Sequence, residues 1–281
     1  MPELTDAARL DYVDLFAAER SELLGFLESL GASDWAASTE CPSWSVKGIT
    51  LHLLGDDLSI LSRQRDREPS RIQIDAGSDW DSFFVALDRH NDQWVDAASY
   101  FSVPLLLDLL RLSGNETHRW YTTVVPDLLG EPIPWIGSDP APYWLLTARE
   151  YLERWIHHSQ IRRAVGQGDW FDERWVHPAV GVGVRGFPAG LEALPAAEGA
   201  AVTIEFEDGP SWTVCKESTG WHLYDGSPTE SNVLLTLDTT TAALLFSRGF
   251  TKTEVIERLR LSGDAQVGEM FAIGLSAFFG R

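Results

Sequence analysis

Apolar positions recur at helical spacing through the first 165 residues and at strand spacing beyond residue 200, and this change of period organises the chain. Residues 3 to 30 carry Leu10, Val13, Leu15, Phe16, Leu23, Leu24 and Leu27 with no interrupting proline, so one long helix is expected, stopping near Gly31. A proline turn opens the stretch "STECPSWSVKGITLHLLGDDLSILSRQ". Ser45 is the expected N-cap there, and the helix should run to about Arg65. The polar stretch between Arg67 and Ser78 contains a proline and a glycine and reads as a loop. A third helix is expected from Asp79 to about Ser99, with Phe83, Phe84, Leu87, Trp94 and Val95 on its apolar face. A fourth starts near Pro104, a favoured first-turn position, and continues through "NETHRWYTTVV", with Gly114 as the place for any kink. Residues 130 to 142, "GEPIPWIGSDPAP", form a rigid loop, and the next helix spans roughly Pro142 to Val165.

After Gly166 the pattern changes. "AAVTIEFEDGPSWTVCKESTGWHLYDG" alternates, is rich in β-branched residues and carries Asp-Gly and Thr-Gly turn pairs, which predicts antiparallel strands. "NVLLTLD" adds a strand, "TTTAALLFSRG" and "DAQVGEMFAIGLSAFF" add helices, and "TKTEVIERLRLSGD" between them reads as a short helix and strand. The expected architecture is an all-α N-terminal domain over residues 1–170, followed by a smaller α+β domain with an antiparallel sheet over residues 171–281.

The 281 residues carry 22 basic against 42 acidic side chains, a formal charge of −20. That balance argues against nucleic acid and anionic membrane surfaces as partners, since phosphate binding needs a basic face. The two cysteines, Cys41 and Cys215, rule out a disulfide scaffold and point to a reducing compartment. The N-terminal residues lack a basic start with an apolar run, and no apolar run approaches the ~20 residues of a spanning helix. A cytoplasmic protein, monomeric or homodimeric, is expected.

Candidate chemistry concentrates in "REYLERWIHHSQIRR", residues 149 to 163. Glu153 and His157 stand four apart, so on a helix they lie one turn above each other. By itself such a pair more often makes a solvated i,i+4 contact than a metal site. His52 on the earlier helix changes the balance. Its face neighbours are Ser45, Gly48, Gly55, Asp56 and Ser59, whereas Val46, Leu51, Leu54, Leu58 and Leu61 lie elsewhere on the helix. Two glycines inside a helix each cost about 1 kcal/mol relative to alanine, and room around His52 is the expected reason for them. Two histidines and a glutamate suit zinc with one position left for water or substrate, although nickel, iron or manganese accept the same donors. His158 points about 100° away from His157 and is assigned to packing, surface or support. Cys41, just before a helix N-terminus, is placed where a thiolate is favoured, but a small packing role is the commoner outcome. Trp44, Trp135 and Trp155 are candidates to wall a pocket or simply to fill the core. No dinucleotide-binding, Walker, nucleophile-elbow or Cys-x-x-Cys motif is present.

These segments resemble a known family. "ECPSWSVKGITLHL" resembles the second-helix signature of the DinB-like helical bundles, specifically the mycothiol-dependent maleylpyruvate isomerase group. "PIPWIGSDPAPYWLLTAREYLERWIHHSQIRRAVG" is similar to that group's later signature, and "VLLTLDTTTAALLFSRGFTKTEVIERLRLSGD" to the small sterol-carrier-protein-like domain that follows. The resemblance implies a DinB-like four-helix bundle in which His52, Glu153 and His157 hold a divalent metal, usually zinc, which in turn holds the thiol cofactor mycothiol as thiolate. It implies an isomerase or S-transferase acting on a small electrophilic substrate, with addition and loss of the thiolate allowing rotation about a double bond. Arg248 is a candidate for a substrate anion, and Glu150 or Asp56 for a carboxylate beside the metal. Two further readings stay open: a thiol-independent metal-dependent hydrolase or lyase, and a non-enzymatic small-molecule-binding or stress-related protein.

Overall fold

The pattern over residues 3 to 30 is divided in the structure, a computed structural model that describes residues 4–68, 80–136, 140–168, 170, 172–207, 209–228 and 231–281. Thr5–Asp6 is strand β1, and the helix α1 occupies only Val13–Glu28. The first residues escape the helix because their backbone has another partner: Thr5 and Asp6 pair with Asp225 and Tyr224, and the Ala8 amide donates to Asp225 Oδ2 at 2.8 Å. The loop expected between Arg67 and Ser78 lies almost wholly outside the described residues.

A short turn of helix, α2 (Ala32–Trp35), leads to α3 (Val46–Ile60). Ser45 caps α3, its side chain accepting from the Gly48 amide, and the last turn to Arg65 widens so that the Asp66 amide reaches the Leu61 carbonyl. Helix α4 (Trp80–Ala98) and the long α5 (Val103–Thr123) follow, the second capped by Ser102 with Pro104 in its first turn. Gly114 does not interrupt α5. A Cβ there would meet the Arg20 guanidinium at 2.9 Å, so glycine is required by the packing of α1 on α5. Two short strands, β2 (Leu129–Pro132) and β3 (Pro140–Pro142), pair with each other and lead into α6 (Tyr143–Ala164).

Beyond α6 come α7 (Glu173–Gly183) and α8 (Phe187–Leu191), neither of which the sequence pattern announced. Pro178 inside α7 and the run of glycines and valines around it conceal the helical period. Strands β4 (Ala201–Phe206), β5 (Ser211–Glu217), β6 (Gly220–Asp225) and β7 (Val233–Leu237) are followed by α9 (Thr239–Phe246), α10 (Lys252–Arg258), β8 (Arg260–Gly263) and α11 (Ala265–Phe279).

The chain forms two compact units. One, helical, comprises Asp11–Glu131 and Pro140–Trp170; the other comprises Met1–Leu10, Pro132–Asp139 and Phe171–Arg281. The sheet of the second unit has the order β1-β6-β5-β4-β7-β8. All its pairings are antiparallel except β4 with β7, which run parallel. The expected antiparallel strands are present, and the β4–β7 pair makes the sheet mixed. Alternation tells which face of a strand is buried but not which neighbour it takes, so β7 was legible as a strand but not as the parallel partner of β4. β4, at the parallel junction, is buried at five of its six positions, as a central strand should be.

The core of the helical unit is built from Leu23 and Leu27 of α1, Ile49, Leu51, Leu53 and Leu54 of α3, Leu106 and Leu110 of α5, and Ile161 of α6. A buried polar knot joins the same four helices. Arg20 of α1 donates twice to the Asp57 carboxylate of α3, at 2.8 and 3.2 Å, and once to the Leu110 carbonyl of α5 at 2.8 Å. Arg154 of α6 and Ser113 of α5 complete the shell of Asp57, at 2.5 and 2.8 Å. Burial alone would raise the Asp57 pKa, but the Arg20 and Arg154 charges overcome it and hold the carboxyl below its usual value.

Candidate metal centre

Helices α3 and α6 bring His52, Glu153 and His157 together. His52 Nε2 stands 3.3 Å from Glu153 Oε1, and His157 Nε2 stands 3.2 Å from the same oxygen. One donor atom from each residue lies within 4.8 Å of the others. Around a tetrahedral zinc with bonds of 2.0–2.1 Å, neighbouring donors sit about 3.3 Å apart. The two histidine–glutamate separations match that spacing, and the donor types suit a small divalent cation. His52 and His157 are buried, and Glu153 is half-buried, so the cluster has an accessible side.

The supports of each donor are specific. The Trp44 ring stacks on His52, with centroids 4.9 Å apart and planes at 28°, and its indole N–H donates to Asp92 at 2.7 Å. The two imidazoles meet edge to face at 4.7 Å. His157 donates from Nδ1 to Gln160 Oε1 at 2.8 Å, which turns Nε2 toward Glu153. The Cys41 thiol also donates to Gln160 Oε1, at 3.6 Å.

The glycines of α3 serve a different purpose from the one expected. A Cβ at Gly48 would meet Trp44 Cβ at 2.9 Å, and one at Gly55 would meet Trp94 Nε1 at 2.5 Å. Both admit tryptophans rather than clearing space for His52 itself. Trp44 then packs on the histidine, while the Trp94 indole donates to the Leu51 carbonyl at 2.7 Å.

Electrostatics follow from this crowding. Burial works to lower the His52 pKa, but Asp56 and the hydrogen-bonded Glu153 outweigh it and raise it. Burial likewise works to raise the Glu153 pKa, yet the hydrogen bonds from His157 and His52 and the charge of Arg149 hold it well below the carboxylate range. Arg149 pairs with Glu150 at 2.5 Å and lies 3.9 Å from Glu153. Burial raises the Glu150 pKa against the pull of Arg149. Asp56 Oδ2 is 3.5 Å from His52 Nε2, buried, and makes no hydrogen bond among the described residues.

Arg248 follows α9 in the sheet-containing unit with φ +53°, and its guanidinium donates to the Gly280 carbonyl at 2.6 Å. Trp155 is fully buried in the helical core, and Trp135 belongs to the sheet-containing unit. His158 is buried against Phe26 and Trp170. The Cys41 pKa is pushed up to about 12, by burial first and then by Glu40, so the thiol stays protonated and is no activated nucleophile. Gln160 was visible in the sequence only as a polar residue on the stripe; its spacing of three from His157 was the available signal.

Comparison with known proteins follows the same residues. The family model described as the mycothiol maleylpyruvate isomerase N-terminal domain matches residues 16–162, which include all three converging side chains. A crystal structure of the mycothiol-dependent maleylpyruvate isomerase superposes with a TM-score of 0.54 at 10% identity, covering 84% of this chain and 88% of that one. A mutant of that enzyme gives 0.53 at 9% identity, with the same coverage. At such identity the likeness is one of fold. A search among curated proteins finds no match. With more than half its length matched by the family model, the chain belongs to the mycothiol maleylpyruvate isomerase N-terminal-domain family.

Proposed function

We propose that this chain is a divalent-metal-dependent enzyme that uses a low-molecular-weight thiol, mycothiol, as an isomerase or S-transferase on a small electrophilic substrate. The observation that carries the reading is the convergence of two imidazole nitrogens on one carboxylate oxygen. Family membership supplies the class of thiol and reaction. His52, Glu153 and His157 would hold the cation, with zinc the best fit to the donor types. A bound cation supplies Lewis acidity that lowers the pKa of a coordinated thiol into the neutral range.

The chain's own residues then have defined tasks. Trp44 covers one face of His52 and keeps water from it. Arg149 sets the orientation of Glu150 and offsets the negative charge of Glu153. In this reading α1, α3, α5 and α6, tied together by Asp57 and its partners, form the DinB-like four-helix frame. The region from residue 171 onward is the sterol-carrier-protein-like domain, with Arg248 reserved as a contact for substrate anions. A cytoplasmic setting belongs to the same reading and rests on the two free thiols, Cys41 and Cys215. No helix among the described residues is long and apolar enough to cross a membrane.

Elemental analysis of the purified protein and calorimetry with zinc and mycothiol test the proposal. Zinc-dependent thiol binding that disappears in His52→Ala is expected. Equal thiol binding by that variant would overturn the assignment. A second reading, a thiol-independent hydrolase or lyase, rests on the buried, unbonded oxygen of Asp56, which suits a water beside the cation. Turnover of ester or amide substrates without added thiol would favour it.

A further inference from the structure

We infer that Gln160 is a positioning residue for the metal ligand His157, fixing its ring so that Nε2 is the nitrogen left for the cation. The inference rests on the metal reading above and extends it to a residue that the three-donor pattern does not include.

The argument begins with spacing. Glu153, His157 and Gln160 stand at i, i+4 and i+7 on α6, so all three share one face. Gln160 is buried at 3% exposure, where a side-chain amide needs partners. Its Oε1 accepts from His157 Nδ1 at 2.8 Å and from Cys41 Sγ at 3.6 Å. An amide oxygen can only accept, so Nδ1 holds its proton toward Gln160, and Nε2, which faces Glu153, is the nitrogen whose lone pair a cation would take. That nitrogen is the one 3.2 Å from Glu153 Oε1. Cys41 holds the arrangement from the other side: its thiol remains protonated and donates, which favours the amide orientation with oxygen toward both partners. Outer partners of this kind orient ligating histidines and typically contribute 10–100-fold to metal affinity.

The test uses the full chain, stripped of metal and titrated with zinc against a chromophoric chelator, with cobalt(II) absorption as a second reading of coordination. Gln160→Leu keeps volume and removes the acceptor; about a 10–100-fold loss of zinc affinity and an altered cobalt spectrum are expected. Gln160→Glu keeps the acceptor and should restore both affinity and spectrum. Gln160→Asn withdraws the oxygen while keeping an amide, and serves if the leucine variant does not fold; it should weaken zinc binding in the same direction. Wild-type affinity and spectrum in Gln160→Leu or Gln160→Asn, with only the metal-free unfolding midpoint lowered, would leave Gln160 a structural residue and overturn the inference. Absence of zinc binding by the unmodified chain would instead remove the metal reading, and this inference with it.

Discussion

Two polar clusters sit on the same pair of helices, and they are built to opposite plans. Around Asp57, two guanidinium groups and a hydroxyl surround one carboxylate, so its charge and lone pairs are met from within the protein. Around Glu153, two imidazole nitrogens and a carboxylate oxygen point at a common centre, and all three carry electron pairs for a cation. The neighbouring positions make the contrast sharper: Asp57 follows Asp56, and Arg154 follows Glu153. One step along each helix separates a group that closes the fold from one that faces the proposed metal. Self-compensation marks a structural cluster; convergence of like donors marks a place for a guest.

Breaking the closed cluster should have the largest effect. Removing one partner of a buried charge pair costs about 3–5 kcal/mol because the other charge is left stranded. Asp57→Ala is therefore expected to lose that much stability in urea unfolding, because Arg20 and Arg154 lose the carboxylate they share. A loss under about 1 kcal/mol would mean that solvent reaches the knot. The open cluster predicts the reverse sign on adding a guest. Zinc at 100 times its dissociation constant should stabilise the metal-free protein by about 2.7 kcal/mol. The increment should vanish in His52→Ala, while that variant's metal-free stability stays closer to the parent than that of Asp57→Ala. A zinc-induced shift that survives in His52→Ala would place the cation elsewhere.

These two clusters also differ in how far they could be read from sequence. The open one was legible in part: Glu153 and His157 are one turn apart on one helix, whereas His52, on a second helix, was joined to them by its small polar helix face and by the family resemblance. The closed one was not. Arg20, Asp57 and Arg154 looked like ordinary charged helix positions, and only the three-dimensional packing of α1, α3 and α6 buries them. The boundaries of the helices from Ser45 to Ala164 followed from caps and apolar period, because those signals act within a few residues. Strand β1 and the parallel β4–β7 pair depend on partners more than thirty residues away or on the choice of sheet edge, which periodicity does not encode.

The glycines of the helical unit sharpen the comparison at a smaller scale. Gly55 borders Trp94 so closely that a methyl group would lie 2.5 Å from the indole nitrogen and dislodge its bond to Leu51. Overpacking of this kind costs about 1–3 kcal/mol, against roughly 1 kcal/mol gained in helix propensity. Gly55→Ala should therefore destabilise. Gly25 in α1 is exposed, and a methyl group added there would have no neighbour within 4 Å, so Gly25→Ala should stabilise by about 0.5–1 kcal/mol. Thermal unfolding of the two variants side by side reads the difference. The same sign in both would remove the packing explanation for Gly55.

Acid gives the finest discrimination. Because Arg20 and Arg154 hold the Asp57 pKa below 3.8, the unfolded chain binds its proton first as pH falls. Stability from this group is thus fully present above the ordinary carboxyl pKa and is lost as pH drops through the lowered folded value. A single group changes stability by at most about 1.4 kcal/mol per pH unit. Asp57→Asn has no proton to take up, so its stability should fall less steeply than the parent's below about pH 4. Between pH 5 and 8 the two curves should run parallel, because neither side chain titrates there. Divergence in that neutral range would show that the Asp57 knot and the histidine cluster are electrostatically joined, and the division between a closed and an open cluster would not hold.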